Sequence, residues 1–354
     1  MNTKQYIDRS SGWLPERPGA GIAVSSRIRL ARNLRDDPFP GWAGESECTR
    51  IWEQLRDVLL DCPALGNAQA VAMEKLSTLD KLVLFERHLI SREQAERKQG
   101  AGAVIRDDEV VAVMVNEEDH LRLQCILPGL AIEQAWDLAN QLDTEIEAHV
   151  DYAFTPKLGY LTACPSNVGT GMRVSVMLHV PGLVLMNEIN AVIKGMARIG
   201  LAVRGLWGEG SESTGNMYQV SNQMTLGEGE DKIVDNFGRI VQEIIEHEQH
   251  ARWRLFETNE ALVHDRAGRA LGILLHAHIL TSKEVLDLLS DLRLGIDMGI
   301  VKLKTERIIN DLLILTQPGH LQKVEGRRLK THERDVARAL LVRSRMNAAL
   351  YEQE

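Results

Sequence analysis

The residues most able to do chemistry in this chain are acidic and sit beside arginines. NEEDH, residues 116–120, stands between two apolar runs, VVAVMV and LRLQCIL. Glu209 and Glu212 stand in RGLWGEGSES. Arg27 and Arg29 lie in AVSSRIRLAR, Arg122 just after NEEDH, Arg173 after a Gly-Thr-Gly, and Arg204 before Gly205. Taken alone, NEEDH reads as a solvated hairpin loop, and each arginine as a surface residue. Together they suit a polyanion, because guanidinium grips phosphate through a rigid fork. Mg·ATP held on arginines, with carboxylates beside it, suits a cationic nucleophile. A guanidinium is one, and a nitrogen of it must lose its proton as it attacks. Two glutamates would grip it in fork geometry and accept that proton.

These residues need rigid elements behind them. AVSSRIRLAR alternates, putting Arg27 and Arg29 on one face and Ile28 and Leu30 on the other. GMRVSVMLHVPGL alternates likewise, with Val174, Val176 and Leu178 opposite Arg173, Ser175 and Met177. The runs flanking NEEDH read as strands, and GLAVRGLWGEGSESTGNMYQVSN as strand, Gly-rich loop and strand. Helical spacing appears near 45–60, in LSTLDKLVLFERHLIS, and in AIEQAWDLANQLDTEIEAHV. Consecutive strands on short connections predict an antiparallel sheet with helices packed on one side, an α+β domain over residues 1–255.

From about 231 the pattern is almost wholly helical, predicting an all-α domain over 256–354. Thr281 and Glu284 make a capping box; a helix near 306–315 is expected to stop at Gln317-Pro318-Gly319; a last helix covers about 333–350.

Composition narrows the class. The 354 residues carry a net charge of −9, which disfavours a nucleic-acid coat. No apolar run reaches a bilayer span and the first residues lack a signal-peptide core, so no membrane role and a cytoplasmic location are expected. The four cysteines show no C-x-x-C spacing, and no metal site is expected. G-x-x-x-x-G-K-[ST] and G-x-G-x-x-G opening a helix are absent, so arginines must do the work of a phosphate loop.

NEEDHLR, CPSNVGTGMRVSV and RGLWGEGSES…YQVSN resemble the motifs of the phosphagen (guanidino) kinases over about 20–255. The resemblance implies their fold, an antiparallel sheet flanked by helices. It implies that Glu118 and Glu212 hold and deprotonate the guanidinium, with Cys164 beside it as a thiolate. The ATP phosphates fall to Arg27, Arg29, Arg122, Arg173 and Arg204. The nucleotide is lined by Ser25, Ser26, Ile28, Val174, Ser175, Val176 and Met177, and by Gly205, Leu206, Trp207, Gly208 and Glu209. His88 falls beside adenine or ribose, and Met177 replaces a histidine usual near adenine.

Two departures resemble one subfamily, the bacterial protein arginine kinases: the family's N-terminal helical domain is expected to be missing, and a helical domain follows. RDVARA resembles their phosphoarginine-binding motif, implicating Arg334, Asp335, Arg338 and Ala339. On a helix Arg334 and Arg338 are i,i+4 neighbours. The subfamily implies Mg²⁺, protein substrates with accessible arginines, a homodimer, a Clp ATPase, a small zinc-binding activator protein and a heat-shock transcriptional repressor as partners. The rival readings are a kinase of free arginine or another small guanidino compound, and a catalytically dead adaptor.

Overall fold

The computed structural model describes residues 6–7, 9–14, 21–205 and 214–350. In chain order the elements are β1 (Ala23–Arg32), α1 (Glu45–Asp61), β2 (Ala68–Ala72), α2 (Thr78–Glu86), α3 (Arg92–Glu96), β3 (Gly102–Arg106), β4 (Val111–Val115), β5 (Leu121–Pro128), α4 (Ile132–Glu147), β6 (Phe154–Thr155), β7 (Gly159–Tyr160), β8 (Met172–His179), α5 (Pro181–Leu185), α6 (Ile189–Arg198), β9 (Leu201–Gly205) and β10 (Met217–Asn222). Then come α7 (Glu230–His276), α8 (Ser282–Asp297), α9 (Arg307–Leu315), α10 (Pro318–Val324) and α11 (Thr331–Ala349).

Eight strands form one antiparallel sheet in the order β2-β3-β4-β5-β1-β8-β10-β9, so the two arginine strands, β1 and β8, are central neighbours. One face carries Ile28, Leu30, Leu123, Val174 and Val176 into a core closed by α1, α4 and α7, through residues such as Leu55, Leu142 and Phe237. The expected one-sided packing is incomplete. The opposite face is also covered at two places: by Val83, Leu84 and Leu89 against β3 and β4, and by the C-terminal helices against Val24, Ile126, Met177 and Met217. Between those covers lies the arginine face.

The expected domain boundary at 255 falls inside α7, which is interrupted just beyond it at Asn259 (φ −154°, ψ 57°). A kinked helix, rather than a loop, therefore joins the two parts. Buried polar contacts tie them further: Arg252 donates to Asp297 (2.8 Å), and the His179 ring meets Ser290 Oγ at 2.8 Å.

Thr281 caps α8, its hydroxyl accepting the Glu284 N–H at 3.2 Å, which is one half of the expected capping box. Gln317-Pro318-Gly319 does not only stop α9. Pro318 is the first residue of α10, where its missing N–H costs nothing and its fixed φ starts a new helix. Glu86 accepts the N–H groups of Gly319 (2.7 Å) and His320 (2.9 Å), capping that helix from another part of the chain.

Candidate active site

Register decides which side chains share the open face. Arg29 is flanked by Gln124 on β5 and Arg173 on β8. Arg27 is flanked by Ile126 and Ser175, Ser25 by Pro128 and Met177, and Ala31 by Arg122. Gln219 on β10 lies between Met177 and Arg204. Cross-strand partners point to the same face, so all five singled-out arginines converge on it. Arg32, one parity step away, points into the opposite core, where it pairs with Asp143 at 2.6 Å and lies 3.5 Å from the Tyr160 ring centroid.

The same alternation turns Ser26, Ile28, Val174 and Val176 away from the arginine face. Ile28, Val174 and Val176 are core. Ser26 Oγ donates to Gly129 O (2.9 Å) and accepts from Ala131 N–H (2.9 Å), fastening the start of α4. Their side chains cannot line a ligand on the arginine face. Ser25, Ser175, Met177, Arg27 and His88 do line one cleft there, together with Trp13, Ile126 and Gln219. Trp13 and His88 meet edge to face, with centroids 4.8 Å apart. Burial, with repulsion from Arg27 and Arg29, pushes His88 down to about 3, so its ring is neutral at physiological pH.

The arginines crowd one another. Burial and the charges of Arg122 and Arg173 lower Arg27 to about 9, although it donates to Gln219 Oε1 at 2.7 Å. Burial and the charges of Arg27, Arg122 and Arg173 pull Arg29 well below its usual value. Nε and Nη2 of Arg29 are buried and bond to no atom of the described residues. A buried donor left unsatisfied costs about 1–3 kcal/mol. Phosphate oxygens would remove that cost and the mutual repulsion at once, so these residues fit the phosphates of ATP.

NEEDH is not the solvated loop that its composition suggests. Four of its five residues are buried, and each has a structural task. Asn116 takes φ +56°, a conformation asparagine tolerates, and its Nδ2 donates to Cys48 O (2.9 Å) and Gly100 O (2.6 Å). Glu117 accepts from Arg122 Nη1 at 2.6 and 2.8 Å and from Ser91 Oγ. Burial would raise it, but Arg122 and these hydrogen bonds outweigh that and hold it below its usual value. Asp119 accepts from Asn33 Nδ2 (2.6 Å) and from Ala163 N–H (2.7 Å). His120 accepts the Leu34 N–H at Nδ1 (3.1 Å), which leaves Nε2–H for Pro38 O (3.1 Å) and defines a neutral tautomer.

Glu118 alone of the five is exposed, and its carboxylate makes no hydrogen bond. Partial burial and the charges of Asp119 and Glu117 raise its pKa. A carboxylate with increased basicity beside the arginine face is suited to accept a proton. Glu212, the expected second acceptor, lies outside the described residues, as do Leu206, Trp207, Gly208 and Glu209. Arg204 and Gly205 end β9.

Cys164 is half-buried, its Sγ 3.0 Å from Ser166 Oγ, on the loop that Asp119 holds through Ala163. The Gly-Thr-Gly after it needs its glycines. A Cβ on Gly169 (φ +116°) would stand 2.1 Å from Thr225 O, and one on Gly171 (φ +64°) 2.6 Å from Ala31 O. Close backbone contact there sets where β8, and hence Arg173, begins.

In the helical part, Arg334 and Asp335 are partly exposed, on the first turns of α11. Arg334 donates to Leu329 O (3.0 Å) and Thr331 Oγ1 (3.2 Å). Arg338 is buried instead. It donates to Thr316 O (2.8 Å), Leu280 O (2.8 Å) and Asp335 Oδ1 (2.6 Å), joining three helical segments. Ala339 is fully buried among core residues and presents nothing to a ligand.

The sequence reading missed Trp13, Ile126 and Gln219 in the cleft, and Asn33 and Ser91 behind NEEDH. Gln219 was findable, since it alternates with Val220 in YQVSN as Arg27 does with Ile28. Trp13, in an irregular segment, carries no periodic signal.

Residues 50–251 match the family described as "ATP:guanido phosphotransferase, C-terminal catalytic domain", and residues 260–354 match "Protein-arginine kinase McsB C-terminal domain". The chain is 44% identical to a protein-arginine kinase of Desulforamulus reducens, over 98% of this chain and 99% of that one. It is 44% identical to one of Bacillus subtilis, over 98% and 96%. Among solved structures, a duplicated taurocyamine kinase of Schistosoma mansoni with bound transition-state-analogue components has a TM-score of 0.59 at 25% identity, covering 67% of this chain and 35% of that one. A lombricine kinase has a TM-score of 0.57 at 21% identity, covering 68% and 72%, and shares the fold. With both parts of the sequence matched and nearly the whole chain aligned, this chain belongs to the protein-arginine kinase family of ATP:guanido phosphotransferases.

Proposed function

We propose that this protein is an ATP-dependent protein-arginine kinase, transferring the γ-phosphoryl group of ATP to the guanidinium of arginine side chains in proteins. The observation that carries the reading is the arginine face, with the unsatisfied nitrogens of Arg29 at its centre and an unpaired carboxylate, Glu118, on the hairpin that begins its neighbour β5. Near-complete alignment with protein-arginine kinases supports the substrate class.

In this reading Arg27, Arg29, Arg122, Arg173 and Arg204 hold the phosphates and neutralise charge as it moves toward ADP. Glu118 orients the substrate guanidinium and takes its proton as the N–P bond forms and the P–O bond to ADP breaks. Glu212 is its proposed partner, and Cys164 a further group against the guanidinium. Mg²⁺ supplies charge neutralisation on the phosphates; it favours phosphate oxygens and waters with few protein ligands. Arg334 and Asp335 are proposed to bind phosphoarginine, the arginine taking phosphate and the carboxylate taking guanidinium.

The homodimer, the Clp ATPase, the zinc-binding activator and the heat-shock repressor are proposed partners, with marking for proteolysis under stress as the role and the cytoplasm as the place. No helix among the described residues is long and apolar enough to cross a membrane.

The test is phosphoryl transfer from γ-labelled ATP with a folded protein and free arginine as acceptors side by side. Acid-labile label on arginine of the protein is the expected result. Label on free arginine alone would mark a small-guanidine kinase, and label on neither an adaptor.

A further inference from the structure

A second cleft, of about 600 Å³, lies between the segment before Trp13 and the helices α9, α10 and α11. Five cations line it: Arg9, Arg87, Arg307, Lys323 and Arg345. Three are neutralised. Arg87 pairs with Glu109 at 2.7 Å, Lys323 with Asp80 at 2.6 Å, and Arg307 lies 3.7 Å from Asp311. The side chains of Arg9 and Arg345 make no hydrogen bond or ion pair to a described residue, although the charge of Arg9 is felt by Glu109. Ser11 also lines the cleft; it is 3% exposed, and its buried hydroxyl has no partner. None of the arginine-face residues, and none of RDVARA, contributes to the lining.

We infer that this cleft is a separate binding site for a small phosphate-bearing anion. Two guanidiniums whose N–H donors are taken up by no described residue match a phosphate dianion, which guanidinium grips through paired N–H donors. The Ser11 hydroxyl supplies a buried donor that is otherwise wasted. Ile7, Ile314 and Leu315 give the cleft apolar wall, and its volume is in the range of small-molecule sites. The inference does not rest on the kinase reading, because it uses none of the residues assigned to transfer.

The test uses the full chain saturated with ADP, so that the arginine face is filled. Inorganic phosphate and glycerol phosphate are titrated into it separately by calorimetry. Binding of at least one probe is expected. It should weaken about tenfold or more in Arg9→Gln/Arg345→Gln, the scale for losing charge-assisted contacts. It should persist when the proposed phosphoarginine site is removed by Arg334→Ala with Asp335→Ala, and largely survive in Arg9→Lys/Arg345→Lys, which keeps both charges. Tighter binding of the ester points to an organic phosphate, and equal or tighter binding of the free ion to phosphate itself. No binding of either probe, equal affinity in the Gln variant, or loss in the Lys variant as complete as in the Gln variant would overturn the site.

Discussion

The carboxylate of Asp119 accepts the backbone N–H of Ala163 at 2.7 Å, binding the hairpin that carries Glu118 to the loop that carries Cys164. Asp119 also accepts from Asn33 Nδ2 at 2.6 Å, just past the end of β1. One side chain thus sets the relative position of Glu118, Cys164 and the arginine strand. In Asp119→Ala the Ala163 N–H loses its acceptor, at about 1–3 kcal/mol if it stays dry, while Asn33 Nδ2 keeps only Leu161 O at 3.0 Å. Thermal melts should show that loss of stability, and steady-state kinetics a fall in kcat with the KM for ATP nearly unchanged.

Glu118→Gln keeps shape and loses basicity. Transfer should fall by roughly 10²-fold or more, with ADP affinity retained. The pH dependence has a definite sign. The acceptor must be ionised, so activity is lost as pH falls through its pKa, and burial with Asp119 and Glu117 raises that pKa. The acid limb of the kcat profile should lie above the ordinary glutamate value, and removing Glu118 should abolish it. A limb that persists in Glu118→Gln would assign it to another group.

Arg29 is a cation placed among cations. Arg29→Met removes the repulsion and two unsatisfied donors, so the nucleotide-free protein should melt higher, by roughly 1 kcal/mol or more. The variant should gain almost no further stability from ADP, whereas the native chain should gain substantially. A lower melting point without nucleotide would show that Arg29 is a structural partner rather than a held-open binding group.

Thiol reactivity should separate the four cysteines by burial. Burial pushes Cys62 up to about 11 and Cys125 up to about 12, so both should resist iodoacetamide at neutral pH. Cys164 is accessible and should label faster than either, and Mg·ATP with an arginine substrate should slow it. Mass spectrometry of timed samples checks both points. Cys164→Ser should be impaired but active, since carboxylates remain to take the proton.

On α11, Arg334→Ala with Asp335→Ala should leave the fold intact and remove phosphoarginine binding in calorimetry, with phosphoserine as control. Arg338→Ala should act differently. It strands two carbonyls and one carboxylate oxygen in or near the core, so the melting temperature should drop whether or not ligand is present.

Much of the site was legible because strand alternation has a period of two. Arg27 and Arg29 had to share one face, with Ile28 and Leu30 on the other, and Arg173, Ser175 and Met177 followed the same rule. Motif resemblance added NEEDH and Glu118, and composition excluded a bilayer span. What alternation cannot supply is register between strands distant in sequence. Only pairing placed Arg29 beside Arg173, and put Arg122 on the same face through Ala31. Local pattern also cannot say what lies outside a loop. NEEDH looks solvated in sequence because Asn33, Ser91 and Ala163, which satisfy its polar groups, are remote along the chain. Arg338 looked like a ligand group for the same reason: its acceptors, Thr316 O and Leu280 O, are carbonyls, which carry no side-chain signature. The sequence determined which residue types alternate on which strand, and the tertiary structure decided which buried polar groups were already satisfied and which, like Nε and Nη2 of Arg29, have no partner among the described residues.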